Sequence, residues 1–255
     1  MPPGSAVDKT NAINEAIASM QKGVNQAVDN FNKLNQAADR FSQYAAIISP
    51  GIGIWVIWYI SKHLKEIRAF LEKLIKIVQT AILNSTPVLS LIHHSFAWLS
   101  DVRMPASNIA HAVERDAKLD LTQWEGPAAS VYHRIAGEQK EAIGEVVDKA
   151  EFISAWLYKI VEGNVDFAAK LLETVSKVAG ALVQAVIDAG SVIDIPWAID
   201  TAAKMVGDLV EAGLNALIEI GKRVVASIGS YRDLVSAVGD NTKLGPAGWP
   251  EAVKG

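Results

Sequence analysis

The chain contains no cysteine, so any hydrolytic, metal-dependent or acid–base chemistry would have to rest on its histidines, carboxylates and serines. The five histidines are His63, His93, His94, His111 and His133. No pair of them stands three or four residues apart together with the carboxylates that a helical metal site uses. His93 and His94 are neighbours and point in different directions on a helix. Glu138, Glu141, Glu145, Asp148 and Glu151 recur at steps of three and four, which places them along one helix face. Paired acids in a cleft can do general acid–base work. Here Lys140 and Lys149 interleave with them, so a solvated or partner-facing stripe is expected. No serine stands in a G-x-S-x-G turn, and there is no P-loop and no G-x-G-x-x-G. Gly51-Ile-Gly53 is too short to cradle a phosphate. The expectation is a protein that is not an enzyme, with no cofactor and no metal.

The elements that carry these residues all read as helices. Over residues 5–46, Ile13, Ile17, Met20, Val24, Ala27, Phe31, Leu34, Ala38 and Phe41 follow steps near three and four, the seam of a coiled-coil-like face. Ser49-Pro50-Gly51 breaks that helix. Around the break, residues 45–60 carry no charge and contain Ile54, Trp55, Ile57, Trp58 and Tyr59. A bilayer span needs ~20 helical residues, so a bent, membrane-inserting tip or a buried turn is expected rather than a simple spanning helix. Apolar side chains of this kind are costly to leave in water, so the segment is expected to be covered by the bundle, a second subunit or lipid. Helix resumes over 52–83, with Leu64, Ile67, Leu71, Leu74, Val78 and Ile82 as its stripe and Lys62, Lys65, Arg68, Lys73 and Lys76 around it. Such a basic amphipathic helix suits either a solvated bundle face or an anionic membrane surface. Further helices are predicted over 87–102, 105–121, 127–162, 165–189, 195–228 and 230–238. Gly163-Asn164 is read as a helix stop, and 239–255 as a loose tail.

Half of the residues are hydrophobic, a fifth are charged, and the net charge is −4, which describes a globular chain and argues against a nucleic-acid reader. Residues 1–104 hold ten Lys/Arg against seven Asp/Glu, and the remainder fourteen against twenty-one. Met1-Pro-Pro-Gly-Ser lacks the basic start of a cleavable signal peptide. If the protein is exported, a route that reads a folded or C-terminal signal is expected.

One stretch carries a more specific signal. Residues 121–143 contain Trp124, Gly126, Ala128, Ala129, Tyr132, Gln139 and Ala142 around a turn and the helix that follows it. Gly126 lets the chain reverse without a Cβ clash, and Pro127 suits the first position of a helix. This pattern resembles the WXG family, the helical hairpins exported by type VII (ESX) secretion systems, over residues 105–163. The family's export signal has the form Y-x-x-x-D/E, and Tyr158-Lys-Ile-Val-Glu162 stands at the predicted end of the second helix. This chain is longer than the family's small members, so the longer single-chain bundle substrates are the nearer comparison.

The expectation is therefore an all-α, elongated helical bundle containing a W-x-G helix–turn–helix. Residues 1–104 would form a long hairpin with an apolar tip at 45–60, residues 105–163 the WXG-like hairpin, 164–238 the C-terminal helices and 239–255 a flexible tail. The resemblance implies a secreted or cell-surface, non-enzymatic protein that acts by association. Its partners would be a second copy or a helical partner and the secretion machinery, with membrane lipid a further candidate and no nucleic acid. The alternative is a membrane-active or pore-forming helical protein that inserts residues 45–60.

Overall fold

The structure is a computed structural model that describes residues 5–48, 50–119, 124–242 and 249–250, with the side chains of 46–52 and 114–119 left aside. Every regular element among the described residues is helical. In chain order these are α1 (Ala6–Ile48), α2 (Pro50–Leu83), α3 (Ser85–Ala97), a π-helical stretch (Trp98–Arg103), α4 (Met104–Leu119), α5 (Pro127–Asp188), α6 (Ile195–Gly229) and α7 (Tyr231–Gly239). The chain is an all-α protein.

Two compact units emerge, and neither is continuous in sequence. The four-helix unit consists of residues Val7–Pro87 and Gly163–Arg223: α1, α2, the later part of α5 and most of α6. The second unit takes Val88–Glu162 and Val224–Gly255, with Met1–Ala6. Residues 88–104 thus group with the segment that follows them, and residues 163–223 complete the unit that α1 and α2 begin.

The core of the four-helix unit follows from helical spacing. Met20, Ala27, Phe31, Leu34 and Ala38 of α1 meet Ile60, Ile67, Leu71, Leu74 and Val78 of α2. Leu171, Val175, Val178 and Leu182 of α5 and Ile199, Ala202, Val206 and Val210 of α6 close the same core. Glycine brings helices close at defined points. A Cβ on Gly23 would stand 2.6 Å from Val175 Cγ1, and one on Gly213 would stand 2.5 Å from both γ atoms of Thr174. Pro50 opens α2 at the position where a missing N–H costs nothing. The hairpin of α1 and α2 is tight at its tip, because a Cβ on Gly53 would lie 3.0 Å from the Ala45 carbonyl oxygen.

The second unit has a thinner core of small residues, among them Ala129, Ala136, Ala142, Ala150 and Ser154 of α5 with Ile92 and Ser95 of α3. Ser154 Oγ donates to Ser95 O at 2.6 Å, and the Trp156 indole N–H donates to Ser227 O at 2.9 Å.

Two helix boundaries and one surface expectation differ from the sequence reading. Gly163-Asn164 does not stop a helix, because α5 runs unbroken through it to Asp188. A mid-helix glycine costs only about 1 kcal/mol against alanine, and buried Ile160, Val161 and Leu171 continue the apolar stripe across it. No loop separates 87–102 from the next helix. The backbone instead widens to π geometry, with Met104 N–H bonding Leu99 O, just before Pro105, which has no N–H to give. Lastly, the acidic stripe is not wholly solvated: Glu145 is buried and paired with Lys149 at 2.6 Å.

Candidate functional site

Of the histidines, only His63 enters a polar cluster. His93, His94, His111 and His133 are exposed. Among the described residues no group of three or more His, Asp or Glu is placed to hold a metal ion.

The WXG-like turn has the local geometry its residue types require. Gly126 adopts φ of 110°, a conformation that favours glycine, and α5 begins at the next residue, Pro127. Trp124 packs its ring 5.7 Å from that of Tyr132 and stays partly exposed. Residues 120–123 of this motif lie outside the described residues. None of the described side chains from Met104 to Val113 in α4 is buried. Tyr158 and Glu162 are not at a helix end but inside α5. Tyr158 is half-buried, edge-on to Phe96 at 6.0 Å, and lines a cavity of about 230 Å3 with Leu99, Ser154 and Ala155. Glu162 is exposed.

The apolar segment 45–60 is where the bundle leaves most uncovered. Gly53 and Ile60 face inward and are buried, and Ile57 and Tyr59 are half-buried. Ile54, Trp55 and Trp58 remain 72%, 62% and 61% exposed. Of the three covers expected for this segment (the bundle, a second subunit or lipid), the chain's own bundle does not supply one for these three side chains. The reason is geometric: the first turns of α2 are apolar all round, and only one side of a helix can face a single core.

A second group joins them that sequence reasoning did not single out. Ile193, in the turn between α5 and α6, and Trp197, in the first turn of α6, are 78% and 67% exposed. They lie at the same end of the four-helix unit, as register contacts establish. Tyr59 Oη donates to Asp200 Oδ1 at 2.7 Å, and further along a Cβ on Gly207 would meet the Phe70 ring at 3.1 Å. The numbers rise together on both helices, so α2 and α6 run parallel and both begin at this end. The same register puts the start of α6 level with about residues 54–58 of α2, so α2 extends roughly 6–12 Å past it, at 1.5 Å per residue.

Directly below the exposed apolar residues lies a bonded polar layer. Trp55 stacks on Tyr59 at 5.5 Å, and Tyr59 meets His63 edge-on at 4.4 Å, a ladder at four-residue steps on α2. Asp200 accepts from Tyr59 and, through Oδ2, from Lys204 Nζ at 2.8 Å. The hydrogen bond from Lys204, then that from Tyr59, holds the Asp200 carboxyl below the usual carboxylate range. Its carboxylate in turn pushes the Tyr59 hydroxyl and the Lys204 ammonium up. His63 Nδ1 lies 2.7 Å from Glu66 Oε2, and its Nε2 lies 3.4 Å from Asp200 Oδ1. Lys62 stands 4.0 Å from Glu66. The i to i+3 step from His63 to Glu66 is visible in the sequence. Asp200, which completes the layer, is brought in by the fold alone.

A comparison of the chain with known protein families, with curated proteins and with solved structures finds no match.

Proposed function

We propose that this is a non-catalytic helical protein that acts by association, docking the exposed end of its four-helix unit onto a lipid membrane surface. The observation that carries this reading is the convergence of Ile54, Trp55 and Trp58 with Ile193 and Trp197 at one end of the unit. Two segments far apart in sequence supply the same kind of surface there. Large exposed apolar patches mark interaction sites, and tryptophan beside aliphatic residues is the composition that settles at a bilayer interface. Each tryptophan leaves on the order of 100 Å2 in water, worth ~2–3 kcal/mol when covered.

Flotation with phosphatidylcholine vesicles tests this. Wild type is expected to float, and the Ile54→Asp/Trp58→Ser variant to stay behind with its circular dichroism unchanged, since both side chains are already exposed. If wild type does not float, and the variant instead converts a dimer to a monomer, the cover is a second copy and the membrane reading falls.

A second reading rests on a separate observation, the left-handed Gly126 followed by a helix starting at Pro127, with Trp124 against Tyr132. This geometry supports the WXG resemblance, and with it export by a type VII secretion system to the cell surface or beyond. The two readings are compatible, because an exported bundle can act on a membrane. Secretion from a host carrying such a system, and retention in one whose secretion ATPase is deleted, is the test.

A further inference from the structure

We infer that the exposed end enters only the outer part of one leaflet, stops at the level of Trp58 and Trp197, and does so with little regard to lipid headgroup charge. This rests on the membrane-docking reading and adds to it a depth and a lipid class.

The depth follows from where polarity changes. On the outer face of α2, Ile54 and Trp58 are followed one turn later by Lys62 and then Lys65, all exposed. On α6, Trp197 is followed by Asp200 and then by exposed Lys204. The hydrogen bond from Tyr59 to Asp200 sets these two changes at the same level, although 141 residues separate the partners. Two helices that pack for core reasons alone have no need to switch from tryptophan to charge at a shared height. A water boundary gives that height a cause.

The polar layer resists deeper entry. Asp200, Lys204, Glu66 and Lys62 would have to leave water together, and ionised groups are expensive at membrane depth. What projects above the layer matches a shallow seat. The roughly 6–12 Å of α2 beyond the start of α6 is less than the ~15 Å half-thickness of a hydrocarbon core. Among the described residues no single helix is long and apolar enough to cross a membrane; Gly53–Leu83 and Ser85–Val113 reach that hydropathy only as a pair broken at Asn84.

The lipid class follows from pairing. The two lysines nearest the boundary already face carboxylates, Lys62 with Glu66 and Lys204 with Asp200. The α5–α6 turn adds Asp194. The layer therefore presents mixed charge rather than a basic patch, and the anionic-lipid attraction expected from the α2 lysines does not operate at this end.

Because the chain has no cysteine, single labels can be placed without background. Ile54→Cys and Lys65→Cys would each carry an environment-sensitive fluorophore, on vesicles of phosphatidylcholine alone or mixed equally with phosphatidylserine. The label at 54 should be quenched more by lipid brominated near the headgroup end of the chain than near its terminus. The label at 65 should stay open to an aqueous quencher, entrapped dye should not leak, and binding to the two compositions should agree within about threefold, where a patch of three free lysines would give roughly a hundredfold difference. Strongest quenching of 54 at the bilayer centre, protection of 65, dye release, or a hundredfold preference for the anionic vesicle would each overturn the inference while leaving docking intact. Failure to float on either composition overturns docking and the inference with it.

Discussion

Replacing Gly213 by alanine should destabilise the four-helix unit, although alanine is the better helix former. The added Cβ would stand 2.5 Å from Thr174 Cγ2, 2.5 Å from Thr174 Oγ1 and 3.0 Å from Thr174 Cβ. Thr174 cannot easily turn away, because it is buried and its hydroxyl donates to Lys170 O at 2.9 Å. Alanine gains about 1 kcal/mol of helix propensity, while overpacking a fixed core contact costs ~1–3 kcal/mol. With both γ atoms struck at once the upper part of that range applies, leaving a net loss of about 1–2 kcal/mol. Gly180→Ala supplies the control: it is exposed within α5, and nothing lies within 4 Å of its Cβ position. It should stabilise by roughly 0.5–1 kcal/mol. Adding Thr174→Ala to Gly213→Ala removes both offending γ atoms and should recover ~1 kcal/mol relative to additivity. Urea unfolding followed by far-ultraviolet circular dichroism reads all five proteins, wild type and Thr174→Ala alone included. If Gly213→Ala is as stable as Gly180→Ala, α5 and α6 do not approach at this point and the close packing described for the four-helix unit is wrong there.

Three further outcomes follow from the same geometry. Gly53→Val should loosen the α1–α2 tip, since its Cβ would meet the Ala45 carbonyl oxygen at 3.0 Å and backbone cannot swing aside; faster hydrogen exchange near residues 45 and 53 is the readout. On acidification the unfolded chain takes up Asp200's proton near its ordinary value of about 3.9, whereas the folded chain resists, because Lys204 and Tyr59 hold the carboxylate. The Asp200 contribution is thus complete at neutral pH and is lost as pH falls below about 4 through the depressed folded value, so Asp200→Asn should show a shallower fall in urea midpoint over that window. Glu173, held at about 2 by Lys170 and Lys177, should add an exposed, salt-screened part to the same fall. If the type VII reading holds, Glu162→Ala should block secretion with the fold intact. Tyr158→Phe, which keeps the ring on Phe96, separates loss of the signal from loss of packing; normal secretion of both variants would remove Tyr158 and Glu162 as the signal.

How much of this was legible in the sequence varies with the range of the interaction. The α1 seam could be read because Met20, Ala27, Phe31 and Leu34 repeat a helical period that any packed helix must show. The break at Pro50 could be read because proline acts within one turn. Gly163 misled because glycine's propensity is a weak term, outweighed by the apolar side chains to either side. The pairing of Glu145 with Lys149 lies at helical spacing, but nothing local announces that the pair is buried.

The exposed end shows the same limit from both sides. That residues 45–60 are too apolar for water is a property of composition, and it is plain in the sequence. Which of them stay uncovered is decided by the side of α2 that Gly53 and Ile60 turn toward the core, and this leaves Ile54, Trp55 and Trp58 outward. Trp197 carries no local mark that distinguishes it from a core residue, for it stands beside buried Ala198 and Ile199. It becomes part of a site only through the register of α6 on α2, which Phe70 against Gly207 and Tyr59 against Asp200 set. A one-turn slip of α6 would move Trp197 by about 5.4 Å and separate the two changes from tryptophan to charge. The shared level is therefore a tertiary property, and it is this property, more than the abundance of isoleucine and tryptophan, that supports the proposed membrane boundary at this end.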